Sequence, residues 1–296
     1  MPVLINHVMS VNTPSNIFDD FIERIKTRSP HNFQHIVSVD PLPHADIYHS
    51  HRPQRFLIDE NTKKSICTIH FDPFDLRQHS SIHDLLIKLP LFQKVVFLNK
   101  NTFNACAFLD EKRHLIPHGY DPRLPLRSIK KPHNKVNIAF VCKYYKDGRK
   151  GEAYLFELFS LLPDNVQLIL VGNNWPRTIE KRCKNIKIIN PNNYSDIISI
   201  YSVIDIVIVT SPYEGGPACL PEAMAAGCAV FSSRCGMATD LLEEDFLLDY
   251  EIESDYRKIL KSINYPSDPK IQDNFPKLIT WDDVSNSYNN LYQSMV

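Results

Sequence analysis

The sequence is poor in glycine and has no long apolar stretch. Only eight of its 296 residues are glycine, and no run of about 18 apolar residues is present, so a membrane-spanning helix is not expected. Basic and acidic residues nearly balance, 33 against 34 with a net charge of -1, which argues against a broad nucleic-acid-binding surface. The first residues lack a basic segment followed by a long apolar core, and no secretion signal is therefore expected.

Sequence patterns that bind metal ions are missing as well. The sequence contains no Cys-x-x-Cys, no His-Glu-x-x-His and no Asp-x-Asp pattern. His49 and His51 stand two apart, but two residues on one strand need further ligands, and we expect no metal. Seven scattered cysteines, an odd number, do not suit a disulfide framework. They are typical of small core residues in a reducing compartment, and we expect a cytoplasmic location.

Glycine and histidine divide the sequence into two parts. All eight glycines lie between Gly119 and Gly236, whereas all twelve histidines lie at or before His133. Four prolines between 116 and 134 exclude a continuous helix or strand there, which predicts a linker, with a long surface loop as the alternative. We therefore expect a first domain over 1–125, a second over 126–280 and a C-terminal helix over 281–296.

Short apolar runs alternate with amphipathic stretches along both parts. This alternation is typical of parallel βαβ units, so we predict an α/β fold with two doubly wound, Rossmann-like domains. Ligands of such sheets bind beyond the carboxyl ends of the strands. Strands are predicted at 3–8, 35–39, 55–58, 65–69, 94–98, 136–142, 166–171, 186–189, 205–210 and 228–232. Helices are predicted at 18–25, 81–89, 153–162, 195–201 and 222–226.

Two glutamates follow the strand predicted at 205–210. Glu214 lies on the loop that leaves the strand, and Glu222 lies at the first turn of the next helix, so both should face the ligand edge of the sheet. An ionised carboxylate can accept two hydroxyl donors, and the small residues at 215–217 would let a ligand approach the backbone. This pattern suits a ligand rich in hydroxyls. The spacing equally allows a solvated Glu214 and a first-turn acid at Glu222.

A basic segment follows the strand predicted at 136–142. It contains Lys143, Arg149 and Lys150, and Gly151 comes next, near the start of a helix. Cations beside a helix N-terminus suit a pyrophosphate group. Taken alone, however, the segment is more typical of a solvated basic turn.

The segment that begins at Glu214 resembles the E-x7-E motif of retaining, nucleotide-sugar-dependent glycosyltransferases of the GT-B fold, the large family-four group. The matching residues are Glu214, Gly215, Gly216, Pro217, Glu222 and the Ala-Met-Ala-Ala-Gly that follows. The resemblance implies that Glu214 contacts the hydroxyls of the donor sugar and Glu222 the ribose. It also implies that the backbone of the turn at 215–217 contacts sugar or phosphate.

Residues 136–151 resemble the strand and loop that open the second domain of this family. There the family carries an Arg and then a Lys-Gly pair, whose cations bind the donor diphosphate. This sequence offers Lys143 in place of the Arg, then Lys150, with Arg149 as a second candidate. A lysine keeps the charge but loses the planar, two-pronged donor of arginine.

The resemblance extends into the first half. Residues 68–72 resemble the strand that delivers the active-site histidine, which implies that His70 hydrogen-bonds the donor sugar. Residues 45–53 resemble a strand ending in His-x-His, and 281–292 resemble the C-terminal helix that returns to the first domain. The family's glycine-rich loop after the first strand has no counterpart, because residues 9–16 contain no glycine.

The resemblance implies a GT-B enzyme whose two domains face a cleft, with the donor on the second domain and the acceptor on the first. We expect a retaining, metal-independent, hexosyltransferase-like glycosyltransferase that needs no cofactor. Its catalytic residues would be His70, Lys143, Lys150 and Glu214. Its partners would be a nucleotide sugar and a glycan or lipid-linked acceptor, not nucleic acid, with peripheral membrane contact left open. The alternatives are a sugar-nucleotide epimerase or hydrolase and a catalytically silent nucleotide-sugar-binding protein.

Overall fold

The computed structural model describes residues 2–10, 16–75, 77, 79–124, 135–182, 185–264 and 278–296. The protein divides into two compact units. The first unit consists of Met1–Gly119, Glu214–Gly216 and Ile279–Val296, and the second of Tyr120–Tyr213 and Pro217–Leu278. The domain limits expected after residues 125 and 280 stay predictions, and most of the predicted linker lies outside the described residues. Among the described helices, none combines the length and the apolar character needed to cross a membrane.

Strands and helices alternate through most of the described residues. The first half contains β1 (Val3–Val8), α1 (Asn16–Lys26), β2 (Phe33–Ser38), β3 (Ile47–Ser50), β4 (Ser65–Ile69), α2 (His79–Lys88), β5 (Lys94–Phe97), α3 (Lys100–Ala105) and β6 (Arg113–Leu115). The second half contains β7 (Val136–Val141), α4 (Glu152–Ser160), β8 (Val166–Val171), α5 (Thr178–Arg182), β9 (Ile186–Ile189), α6 (Tyr194–Tyr201), β10 (Ile206–Val209), α7 (Cys219–Ala225), β11 (Ala229–Ser233), α8 (Ala238–Leu241), β12 (Leu247–Leu248), α9 (Ile252–Asn264) and α10 (Trp281–Gln293).

Each unit is built on one parallel sheet of six strands. The strand order is β2-β1-β3-β4-β5-β6 in the first unit and β12-β11-β10-β7-β8-β9 in the second. Read from β9, the second order is that of a Rossmann fold, and the first begins like that of flavodoxin. These sheets confirm the prediction of two doubly wound α/β domains. The order changes direction between β1 and β3 and between β7 and β10, and such sheets bind ligands at these switch points.

The strands are rich in apolar residues because the central strands are buried on both faces. All five residues of β4 and all four of β10 are buried, as is usual for parallel sheets covered by helices on both sides. Helix α10 completes the core of the first unit. Its Trp281, Tyr288 and Tyr292 pack with Ile5 and Phe21. The C-terminal helix therefore belongs to the first unit, as the sequence predicts.

Two local predictions are wrong. Residues 55–58 do not form a strand, because Pro53 starts a short 3-10 helix, Pro53–Arg55, and the extended residues that follow pair with no strand. The helix predicted at 222–226 begins three residues earlier, at Cys219. Pro221 is tolerated inside its first turn because the N–H groups there have no partner within the helix.

Candidate functional site

The loop after β7 collects three cations around one aromatic ring. The Lys143 Nζ, Arg149 Cζ and Lys150 Nζ atoms lie 5.0, 4.7 and 5.8 Å from the centroid of the Tyr145 ring. A ring face attracts cations, so Tyr145 partly offsets the repulsion between these like charges. Asp147 also pairs with Arg149 at 2.6 Å. The structure thus brings together the three predicted cations, and we call residues 143–150 the basic loop.

Glu152 holds the basic loop in shape. Its side chain is buried at the start of α4 and accepts hydrogen bonds from the backbone N–H groups of Tyr145, at 3.3 Å, and Lys150, at 3.0 Å. A carboxylate in the first turn of a helix is also favoured by the helix dipole. Neither Glu152 nor Tyr145 was predicted from the sequence. The acid directly after Lys150 and Gly151 was a usable signal for Glu152.

Gly151 brings the basic loop against the end of β10. Its φ of +75° lies in the left-handed region, and a Cβ atom there would lie 1.8 Å from the carbonyl oxygen of Thr210, so only glycine fits. The Thr210 hydroxyl shares its proton between the carbonyl oxygens of Lys150, at 2.9 Å, and Gly151, at 3.0 Å. The basic loop is therefore bonded to the end of β10, at the switch point of the second sheet.

Glu222 lies in the first turn of α7 and is buried in the second unit. Its Oε1 accepts a hydrogen bond from the Tyr194 hydroxyl at 2.6 Å, and its Oε2 accepts one from the Tyr201 hydroxyl at 3.1 Å. Burial and then the carboxylate of Glu222 raise the pKa of Tyr201, which keeps this hydroxyl protonated as a donor. The carboxylate thus binds hydroxyl groups already, and each of its oxygens has a second lone pair. Neither tyrosine was predicted from the sequence.

The glycines after Glu214 pack closely within the first unit. A Cβ atom at Gly215 would lie 2.5 Å from the carbonyl carbon of His70, so no side chain fits there without a shift. The Gly215 carbonyl accepts a hydrogen bond of 2.8 Å from Asn99 Nδ2. Glu214 itself is partly exposed. The predicted sugar-binding residue His70 and the backbone beside Glu214 are therefore neighbours, and Asn99 is a further contact that the sequence did not reveal.

Gly216 and Pro217 differ in their surroundings. A Cβ atom at Gly216 would lie 3.1 Å from the His118 ring and from the Leu98 side chain, in the first unit. Pro217 is buried and begins the second stretch of the second unit. The predicted site residues thus fall into two groups: Glu214, Gly215, Gly216 and His70 in the first unit, and Lys143, Arg149, Lys150, Pro217 and Glu222 in the second.

His70 follows β4 and is partly exposed. The rings of Phe18 and Phe21 contact it edge-on, with centroids 4.8 and 4.9 Å away. Burial, followed by electrostatic interaction with His118 and Arg52, lowers the pKa of His70 well below its ordinary value, so the ring is neutral at pH 7. Within the described residues its Nδ1 atom has no hydrogen-bond partner, whereas Nε2 lies 3.0 Å from Nδ1 of His51.

Three buried histidines lie close enough together to suggest a metal site. One ring nitrogen from each of His7, His49 and His51 lies within 4.8 Å of the others. The sequence had placed His49 and His51 side by side but not His7. Each ring nitrogen of the three has a hydrogen-bond partner in the first unit. A hydrogen-bonded network therefore accounts for the cluster, and the absence of a metal stays a prediction.

Part of the second unit matches a known family. Residues 135–261 match the family model described as "Glycosyl transferases group 1". This stretch includes the basic loop and Glu222, and it spans less than half of the chain. A search of curated proteins found no significant match.

Solved structures resemble the whole chain. Sucrose-phosphate synthase from Thermosynechococcus elongatus superposes with a TM-score of 0.75 at 14% identity, over 100% of this chain and 99% of that one. HepE from Anabaena, in complex with UDP-glucose, gives a TM-score of 0.72 at 15% identity, over 98% and 99% of the two chains. A glycosyltransferase from Rickettsia africae gives 0.70 at 14% identity, over 99% and 98%.

These similarities establish the fold along the full length. The architecture is the GT-B fold predicted from the sequence. The family match over 135–261 and the shared fold together support a glycosyltransferase of this fold. They do not favour an epimerase, a hydrolase or a silent binding protein.

Proposed function

We propose that this protein is a retaining, metal-independent glycosyltransferase. It moves a hexosyl unit from a nucleotide sugar to a hydroxyl group of a glycan or lipid-linked acceptor. The basic loop carries the proposal: three cations surround Tyr145, and the loop is bonded to the end of β10. A departing nucleoside diphosphate develops negative charge at the same kind of sheet edge. Charges that are already in place stabilise it without reorganisation.

The other residues are assigned by their chemistry. The Glu222 carboxylate accepts two hydroxyl hydrogen bonds in the structure, and we assign the ribose to it because ribose hydroxyls are donors of the same kind. Glu214 and His70 are assigned to the hydroxyls of the donor sugar. The remaining donor contacts are assigned to Lys143, Arg149, Lys150 and the backbone of Gly215, Gly216 and Pro217.

UDP-sugars are the first donors to test, since HepE binds UDP-glucose. Three lysine and arginine cations supply the positive charge that other transferases take from a metal, so the reaction needs no metal or other cofactor. The seven cysteines are scattered and odd in number, which favours a reducing compartment such as the cytoplasm.

The first experiment measures thermal stabilisation of the protein by UDP, GDP, ADP and their sugar conjugates. A ligand that binds only the folded state raises the melting temperature with its occupancy. The best nucleotide sugar is then assayed for diphosphate release with and without candidate acceptors. We expect release that depends on an acceptor. Release of the diphosphate without any acceptor would favour a hydrolase. Binding of the nucleotide sugar without release of the diphosphate would favour a silent binding protein.

Matched variants test the two groups of residues. Lys150→Ala should weaken diphosphate binding at least tenfold, whereas Lys146→Ala, on an exposed lysine of the same loop, should leave it unchanged. Glu214→Gln should weaken binding of the nucleotide sugar and spare the bare diphosphate. If Lys150→Ala binds the diphosphate as tightly as Lys146→Ala does, the basic loop is not part of the donor site.

A further inference from the structure

Four histidines of the first unit are hydrogen-bonded ring to ring. His35 Nδ1 lies 2.9 Å from His7 Nε2, His7 Nδ1 lies 3.0 Å from His51 Nε2, and His51 Nδ1 lies 3.0 Å from His70 Nε2. We call His35, His7, His51 and His70 the histidine row. It starts on the edge strand β2, crosses β1 and the end of β3, and reaches the residue after β4. One end of the row is therefore the residue proposed to contact the donor sugar.

The register of the strands explains the row. On β1, the residue opposite His35 is Ile5, which comes two residues before His7. On β3, the residue opposite His7 is His49, which comes two residues before His51. Residues two apart on a strand share a face, so the row runs diagonally across one face of the sheet. Each step moves two residues toward the carboxyl ends of the strands, where ligands of such sheets bind.

Neighbouring side chains limit the rotation of the rings. The His49 ring lies with its centroid 4.3 Å from that of His51 and 5.1 Å from that of His7. His49 is itself held by Tyr292, at 2.7 Å, and Thr68, at 2.8 Å. The rings of the row are thus packed in fixed orientations, and only the positions of their protons remain to be assigned.

The protons of the row can be arranged in only two ways. A neutral imidazole has one N–H donor and one acceptor nitrogen. Burial is the main cause that lowers the pKa of all four histidines, so each is neutral at pH 7. Because every link needs one donor, all four rings carry the proton on Nδ1 or all four carry it on Nε2.

The end of the row at His35 selects between the two arrangements. His35 is 8% exposed, and its Nε2 is buried without a hydrogen-bond partner in the described structure. Protons on Nε2 would leave a buried N–H donor unpaired there. Protons on Nδ1 leave only an unpaired acceptor nitrogen at this position. Buried N–H donors without a partner are rarer in proteins than buried acceptors without one. The arrangement with every proton on Nδ1 is therefore favoured.

We propose that the histidine row fixes His70 in the tautomer that carries its proton on Nδ1, so that His70 presents a neutral N–H donor to an oxygen atom of the substrate. His51, His7 and His35 are then positioning residues that act through His70 and touch no substrate. The substrate in this statement rests on the proposed glycosyltransferase function. The tautomer itself does not, and it can be measured on the free protein.

The first test is two-bond 1H–15N NMR of the protein labelled with 15N-histidine, at pH 8. We expect the four histidines of the row, assigned by single substitutions to glutamine, to show the pattern of the Nδ1–H tautomer. A His70 signal of the Nε2–H form would overturn the proposal. This outcome does not depend on finding the donor or the acceptor.

The second test reverses the row from its far end. A glutamate in place of His35 is acceptor-only, so His35→Glu should draw a proton onto Nε2 of His7 and convert His51 and His70 to the Nε2–H form. The matched His35→Gln variant can donate through its amide and should keep the native tautomers. We expect kcat with the stabilising nucleotide sugar to fall at least tenfold in the glutamate variant relative to the glutamine variant. Affinity for the bare diphosphate should stay equal.

The outcomes separate the inference from the proposed function. Identical tautomers and identical kcat in the two variants would overturn the role of the row. A protein that turns over no nucleotide sugar, but whose His70 tautomer follows residue 35, would refute the proposed function and leave the tautomer assignment standing. If the glutamate variant does not fold, the spectrum of the wild-type protein still decides the assignment.

Discussion

The two units share one sheet architecture but use different chemistry at their ligand edges. The first places neutral histidines on the face of its sheet, beneath α1 and α10, and has no glycine before Gly119. The second places lysine and arginine on the basic loop and glutamate in the first turns of helices, and it depends on left-handed glycines such as Gly151. A site formed from buried imidazoles is sensitive to protons, whereas a site formed from loops is sensitive to backbone conformation. This difference can be tested by acid, by substitution and by a chelator.

Mild acid should unfold the first unit and spare the second. Burial lowers the pKa of five buried histidines, to about 4 for His35 and His118. Since the unfolded pKa is about 6.5, the unfolded chain binds more protons below that value, and stability is lost as pH falls from about 6.5 toward 4. Each histidine that stays neutral in the folded unit adds to this loss, so we expect the first unit to lose a large part of its stability at pH 5.5.

The two tryptophans report on the units separately. Trp175 belongs to the second unit and Trp281 to the first, so Trp175→Phe and Trp281→Phe each leave one reporter. We expect the Trp281 fluorescence to show a transition between pH 6.5 and 5, while the Trp175 fluorescence stays constant. The residues from 135 onward contain no histidine. If both reporters show a transition at the same pH, the two units do not differ in their sensitivity to acid.

Gly151→Ala should clearly destabilise the second unit. The left-handed φ alone costs about 1–2 kcal/mol for a residue with a Cβ, and the overlap with Thr210 adds about 1–3 kcal/mol. Gly148→Ala is the matched control, because Gly148 also has a positive φ, +65°, but a Cβ atom added there would meet nothing within 4 Å. Urea unfolding followed by Trp175 should show the larger loss for position 151. Equal losses would mean that the contact with Thr210 is relieved by a small shift.

The fold was predictable because it depends on local patterns. Apolar runs such as those of β8 and β10 end at glycine or at small polar residues, and their alternation with helices defines parallel sheets. The prediction of a strand at 55–58 was wrong for a local reason, because Pro53 favours a turn rather than the start of a strand. The helix predicted at 222–226 begins three residues earlier because proline is allowed at several positions of a first helical turn, so Pro221 does not mark the helix start.

The site was predictable only where its residues are close in sequence. Lys143, Arg149 and Lys150 lie in one loop, and the family resemblance of that loop predicted a shared role for them. His7 and His35 lie on two strands, His51 and His70 directly follow two others, and only the register of the sheet shows that they touch. The concentration of histidine before residue 134 was the one signal of this network, and composition does not reveal which rings pair.

Glu222→Gln should weaken the binding of nucleotides. We expect this change in free energy to be smaller than the losses of stability caused by acid or by Gly151→Ala. Hydrogen bonds to a charged group contribute about 1.5–3 kcal/mol, so the affinity for UDP should fall about tenfold or more. Because two tyrosines donate to this carboxylate, we also expect a stability loss of about 1–3 kcal/mol. Calorimetry with UDP compares this variant with Tyr194→Phe, which keeps the charge. If both variants bind UDP like the wild type, Glu222 has only a structural role.

The smallest expected effect is that of a chelator, and it applies to both units at once. In the second unit, three cations around Tyr145 supply fixed positive charge, and the sequence has no Asp-x-Asp triplet to hold a metal at the diphosphate. In the first unit, the ring nitrogens of His7, His49 and His51 have hydrogen-bond partners, and a bound metal would have to replace those bonds. EDTA should therefore change neither the turnover of the nucleotide sugar nor the acid transition reported by Trp281.

Loss of turnover that manganese restores would place a metal at the donor diphosphate and contradict the role of the basic loop. A transition that moves with EDTA and returns with zinc would place the metal among the histidines instead, and the tautomers of the histidine row would then be set by that metal rather than by His35.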